Sequence, residues 1–172
     1  MWSWSAGIVR TETWSYRWLH VGDFVKDKLF CLFVVWFNDY NEDVLNEITI
    51  PNTLINKPDI GATSKFFSGD WQSFEDEYLS NEIKTEEQKF DLILTSETIY
   101  NEENHKKLVS IFKKFLKKDG DVLVSGKTFY FGVGGGMRQF ESVLKHENLD
   151  CSQVKTFDSG VKREILKVKL KA

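Results

Sequence analysis

The sequence predicts an α/β domain built on an open, mostly parallel sheet, with helices on both faces and an antiparallel hairpin as its last element. Three observations carry that prediction. The run over residues 29–37, LFCLFVVWF, is continuously apolar and rich in β-formers, the pattern of a strand buried on both faces. Further short apolar runs alternate with segments of helical period. The last two runs alternate with period two around Asp158-Ser159-Gly160, as a hairpin does.

Residues 1–28 contain four Trp residues but no sustained period and no cap signals, so no element is predicted there. After the strand over 29–37, Asn41 can cap a short helix through Asn46, closed by Ile48-Thr49-Ile50-Pro51 because proline restrains its predecessor. Residues 65–71 form a short strand breaking at Gly69, and the acidic stretch over 80–88 reads as an exposed helix or insertion. A buried strand over 90–95 runs into Ser96-Glu97-Thr98-Ile99-Tyr100 and is followed by a helix over 101–118. On that helix His105, Leu108, Ile111, Phe112, Phe115 and Leu116 share one face; Lys113, Lys114, Lys117 and Lys118 form a solvated face near the helix's negative end. Asp119-Gly120 ends it, 121–125 is another strand, and a glycine loop through Gly136 delivers a helix over 137–148. Strands over 154–157 and 164–170 complete the hairpin.

A length of 172 residues suits one domain, and 23 basic against 26 acidic residues leave a formal charge of −3, no general field for a phosphate backbone. Nucleic acid is therefore not an expected direct partner. Cys31 and Cys151 support neither a disulfide framework nor a Cys-based metal site, and His20, His105 and His146 are too scattered for ligation, so no metal is expected. Residues 1–10 lack a secretory pattern and 29–37 are too few to span a bilayer. The chain reads as a soluble monomer of a reducing compartment, cytosol or nucleus.

Ligands of open α/β sheets bind beyond the carboxyl ends of the strands, so the residues just past each strand are the informative ones. They are Asp39, Asp70-Trp71, Ser96-Glu97 and Lys127. Asp39 is placed to accept both ribose hydroxyl protons of an adenosine, although a turn or cap Asp has the same spacing. Asp70 suits the adenine amino group and Trp71 a stacking surface; a Gly-Asp turn beside a core Trp fits equally. The run Gly132-Val133-Gly134-Gly135-Gly136 lacks the Lys-Ser/Thr ending of a phosphate loop, and Met137 stands where a dinucleotide loop needs glycine. It reads as a hinge bringing backbone to a substrate peptide, or as a permissive loop into the next helix.

Four stretches together carry a family resemblance: Asn38-Asp39-Tyr40-Asn41, Phe67-Ser68-Gly69-Asp70-Trp71, residues 92–100, and Tyr130-Phe131-Gly132-Val133-Gly134-Gly135-Gly136. In order and at sensible intervals, they resemble the motifs of the protein-histidine methyltransferases, S-adenosylmethionine enzymes of the seven-strand superfamily related to the protein-lysine methyltransferases with an acid-x-x-Tyr motif. The resemblance implies S-adenosyl-L-methionine as cofactor and methyl transfer to a histidine of a protein, in that family a large-subunit ribosomal protein. It implies a ribose acid at Asp39, cofactor contacts at Asp70, Trp71 and Ser96, catalytic residues at Glu97 and Tyr100, and substrate contacts at Tyr130, Gly134 and Gly135. Glu97 is expected to orient the target imidazole, whose free nitrogen attacks while an acceptor fixes the other; a strand-end acid and a core Tyr are the plainer reading of the pair.

That family also has a first strand ending in a Gly-x-Gly-type loop. Upstream of Asn38 the chain has only Gly7 and Gly22. The sequence thus predicts a seven-strand methyltransferase-like sheet whose first strand and glycine loop are missing, an unassigned segment over 1–28 and an incomplete domain over 29–172. A truncated or alternatively spliced product, or one whose start is read from a displaced frame, is the expectation, with two open ladder edges, poor solubility and weak or absent cofactor binding. The alternative function is a non-catalytic module that docks the protein substrate or an assembly factor. A nicotinamide oxidoreductase is disfavoured by the absent dinucleotide loop and the terminal hairpin.

Overall fold

The structure, a computed structural model, describes residues 6–11, 33–55 and 63–171. The strands are β1 (Ala6–Thr11), β2 (Phe33–Asp39), β3 (Thr63–Ser68), β4 (Phe90–Ser96), β5 (Leu116–Lys127), β6 (Leu149–Phe157) and β7 (Arg163–Leu170). Among the described residues they form a seven-stranded sheet in the order β3-β2-β1-β4-β5-β7-β6. β2 pairs parallel with β3, β4 parallel with β5, and β7 antiparallel with both β5 and β6. The predicted open α/β sheet with a terminal antiparallel hairpin is therefore present.

The central position departs from expectation. β1 fills it, running antiparallel to both neighbours, with Ala6 opposite Asn38 and Gly7 opposite both Phe37 and Leu94. Two corrections follow: residues 1–28 do contribute an element, and the edges of β2 and β4 flanking the gap are both paired. The physical reason is that two facing ladder edges accept any extended segment, and an antiparallel ladder satisfies them as well as a parallel one. The parallel first strand with its glycine loop is thereby replaced by a reversed strand, with Gly7 paired inside the ladder. The rest of the 1–28 segment, and residues 29–32 of the predicted 29–37 strand, lie outside the described residues.

Helical segments cover the sheet. Helices α1 (Glu42–Val44) and α2 (Ile50–Ile55) are joined by a π-helical turn over Leu45–Thr49, so the helix predicted to close before Pro51 runs through it. The wider turn resets the hydrogen-bond ladder, and Pro51 becomes the second residue of a new α-helical stretch, where a missing N–H is tolerated. Similarly, α3 (Trp71–Phe74), a π turn (Glu75–Leu79) and α4 (Ser80–Glu82) follow one another without a break, and Trp71 is helical, outside the strand predicted for it. Phe74, Leu79 and Ile83 anchor this segment to the core, while within 80–88 Asn81, Glu82, Lys84, Thr85 and Glu87 are exposed, in line with the exposed helix expected there.

Helix α5 (His105–Phe115) ends three residues before the predicted Lys118, and β5 begins at Leu116. Leu116 pairs with Phe90, the ladder shifts register before Leu92, and Lys117 Nζ lies 2.7 Å from Asp91 Oδ1. Sheet pairing thus overrides helical continuation, and Lys117 and Lys118 belong to a strand. Helix α6 (Met137–His146) packs with α5 over the sheet, where Phe112, Phe140, Met137 and Leu144 are fully buried. Beside β2, Trp36 clusters with Phe67, Phe74 and Phe90, ring centroids 4.8–6.3 Å apart. The layers hold the carboxyl ends of β2, β3 and β4 along one rim.

Candidate active site

At the first tip, Asn38 is buried and its Nδ2 donates to the Phe67 carbonyl at 3.2 Å, while Gly69 N–H donates to the Asp39 carbonyl at 3.0 Å. These bonds tie the ends of β2 and β3 together. Asp39 then turns its carboxylate over the Asn41 N–H, Oδ1 accepting at 2.9 Å. A carboxylate offers about four acceptor sites, so hydroxyl protons can still be taken.

Asp70 caps α3, Oδ1 accepting from Ser73 N–H at 2.8 Å, and Lys107 of α5 reaches its Oδ2 at 3.3 Å. The Ser73 bond, helped by Lys107, holds its carboxyl below the ordinary aspartate range. Gly69 makes the approach possible with φ +118°, a conformation open to glycine. Trp71 follows, half-buried at the rim.

The third tip is unusual. Glu97 leaves β4 at φ +56°, rare for a non-glycine residue, with its N–H donating to Ser125 O at 2.9 Å. Across it, Thr95 and Thr98 share a hydroxyl bond of 2.6 Å, and beyond it buried His105 bonds the Ile99 carbonyl through Nε2 at 2.9 Å. The Gly135 N–H donates to Tyr100 O at 3.1 Å, so the triple-glycine loop backs the acid-x-x-Tyr segment. Tyr100 is half-exposed and meets Tyr130 edge-on, centroids 6.3 Å apart. Burial drives the Tyr130 hydroxyl far above its usual pKa, the Glu97 carboxylate adding to the shift, and the Lys127 N–H donates to that hydroxyl at 3.1 Å.

Asp39, Asp70, Trp71, Glu97, Tyr100 and Tyr130 all line one cavity of about 720 Å³. The sequence-predicted acids therefore converge on one rim. Ser96, Gly134 and Gly135 do not line it: Ser96 pairs with Ser125 in the ladder, and Gly135 is buried under the 99–100 backbone. Lys107 and Asn104 also line the cavity, and no local sequence pattern marks them, because only the crossing of α5 over the strand tips brings them there. No group of three His, Cys, Asp or Glu able to hold a metal occurs among the described residues.

The residues suit only part of an S-adenosylmethionine molecule. An acid at the β2 tip and an acid with an indole at the β3 tip match an adenosine. At the central strand the amino-acid end would need a flexible glycine loop, and that edge is instead entered by Ala6 of a reversed strand.

Residues 28–130 match the lysine methyltransferase family model. Curated relatives named histidine protein methyltransferase 1 homolog include one from Dictyostelium discoideum, 42% identical over 146 residues, covering 81% of this chain and 45% of the relative. One from Bos taurus is 35% identical over 160 residues, covering 80% and 42%. The chain spans less than half the length of these relatives. Among solved structures, a Pyrococcus horikoshii protein superposes with TM-score 0.54 at 11% identity, covering 79% of this chain and 71% of that one. An rRNA methylase from Streptococcus thermophilus gives TM-score 0.50 at 8% identity, covering 79% and 73%; both likenesses concern the fold alone. With a family model matched over more than half of its residues, the chain belongs to the lysine methyltransferase family, and the relatives named for histidine methylation bear out the resemblance drawn from its motifs.

Proposed function

We propose that this chain carries the adenosine-binding and acceptor-positioning half of an S-adenosylmethionine-dependent methyltransferase acting on a histidine side chain of a protein, with a ribosomal protein as the acceptor and the cytosol or nucleus as the setting. The observation that carries the reading is the meeting of Asp39, Asp70-Trp71, Glu97 and Tyr100 around one cavity. When bound, the cofactor supplies a methyl group already activated on a sulfonium, so alignment accounts for most of the acceleration. Glu97 accepts the N–H of a neutral imidazole, directing the other nitrogen's lone pair into the cavity and stabilising the ring as it becomes cationic. Tyr100 walls the acceptor with its ring face, which favours that developing charge.

Tritiated-methyl transfer onto a histidine-containing ribosomal protein tests this. Label on histidine that is lost in Glu97→Ala supports it; label on lysine overturns it. The reversed central strand favours a second reading, a module that binds the acceptor protein without transferring a methyl group. In either case, isothermal titration with S-adenosylmethionine is expected to give affinity weaker than micromolar. Capture of the acceptor with no label incorporated supports the second reading.

A further inference from the structure

Glu97, which lines the cavity, has a cationic neighbour outside the lining. Arg163, at the start of β7, sets its Nε 3.5 Å from Glu97 Oε1, and its Nη1 donates to the Val161 carbonyl at 3.3 Å. The buried Tyr130 hydroxyl accepts from the Lys127 N–H at 3.1 Å, and Lys127 places its Nζ 5.2 Å from the Tyr130 ring centroid. Arg163 and Lys127 are cross-strand partners, and Arg163 is the one whose side chain reaches the Glu97 carboxylate.

We propose that Arg163 is a specificity-determining residue, compensating the Glu97 charge so that this wall selects a neutral imidazole N–H over the ammonium of lysine. The inference rests on the reading of the cavity as an acceptor site and deepens it. A bare carboxylate rewards a cation through its full charge, whereas a neutral N–H is rewarded only by a hydrogen bond. Pairing Glu97 with a partly exposed guanidinium lowers the first reward without abolishing it, so a full ammonium gains less while an imidazole that turns cationic during transfer is still stabilised. It leaves lone pairs for the second, because the Nε contact uses one acceptor site of about four. A bare carboxylate would also keep an attacking amine protonated and so unreactive, a cost that a neutral ring does not meet. Within a family named for lysine, a compensated acid is a physical way to change the acceptor.

The test uses the full chain with two small probes, imidazole and n-butylammonium, near pH 8.5 where only the second is charged. Amide chemical shifts of Glu97 and Tyr130 report binding. Imidazole is expected to act at roughly tenfold lower concentration than n-butylammonium. Arg163→Met and Arg163→Gln are expected to move the ratio about tenfold towards n-butylammonium, a shift of ~1.4 kcal/mol, and Arg163→Lys to restore the preference. An unchanged ratio in both neutral variants, equal weakening of both probes, or no response of the unaltered chain to imidazole overturns the inference. Selective imidazole binding that depends on Arg163, together with no methyl transfer, overturns only the catalytic reading.

Discussion

The Gly135 N–H donates to the Tyr100 carbonyl at 3.1 Å, closing the triple-glycine loop onto the acid-x-x-Tyr segment. A Cβ on Gly135 would stand 2.4 Å from the Ile99 carbonyl oxygen and 2.5 Å from Tyr100 backbone atoms. The clash is with main chain, so no rotamer relieves it. Gly135→Ala is expected to lower stability by about 2 kcal/mol or more, as overpacking does. At Gly134 the nearest atom to an added Cβ is Glu102 Oε1 at 3.8 Å, and only the φ of +98° opposes a side chain. Gly134→Ala should cost about 1 kcal/mol. Urea denaturation of the two variants measures the contrast, and equal losses would show that the loop does not rest on the 99–100 backbone.

Asp70 links capping to acid sensitivity. Its carboxyl is held low by the Ser73 N–H and then by Lys107. A depressed folded pKa means stability that is complete above the unfolded value, near 4, and is lost as pH falls through the lower folded value. Asp70→Asn should therefore flatten the acid limb of stability below about pH 4. At neutral pH the loss should be no more than ~1 kcal/mol, since asparagine still caps. Thermal melts between neutral and acid pH check this.

Adenosine alone should bind the rim even where the whole cofactor binds weakly. Asp39→Ala removes the hydroxyl acceptor, and Trp71→Ala removes the stacking surface, worth about 1–3 kcal/mol in comparable base–aromatic contacts. Both variants are expected to weaken adenosine about tenfold or more, followed by amide shifts at Asn38 and Gly69. Undiminished binding in both would place adenosine elsewhere.

Glu164 is buried in β7, accepting from Thr128 Oγ1 at 2.8 Å and pairing with Arg138 of α6. It fastens the hairpin to the loop carrying Tyr130. Removing Arg138 leaves a buried carboxylate with one hydroxyl partner, so Arg138→Met should cost on the order of 2 kcal/mol, reduced from the fully buried case by the exposure of the guanidinium. Arg138→Met with Glu164→Gln should recover part of that loss, since no unpaired charge then remains. A double-mutant cycle by denaturation gives the coupling.

Much of the site could be read from residue order. Asp39, Asp70-Trp71 and Glu97 each follow an apolar run, and parallel strands must deliver such tips to one edge. Lys107 and Arg163 could not be found that way. Each reaches its acid from a residue distant in sequence, 37 positions away for Lys107, and nothing local marks a lysine on a helix or an arginine in a hairpin as a partner of either.

The sequence by itself determined the strands other than β1, the terminal hairpin and the family motifs, because burial on both faces and period-two alternation are written into side-chain order. Only the tertiary structure decided what occupies the central slot, where the helix after Asn101 gives way to β5, and which cations stand behind the acids. Those outcomes depend on ladder edges and helix crossings, where backbone groups far apart in the chain satisfy one another irrespective of local propensity.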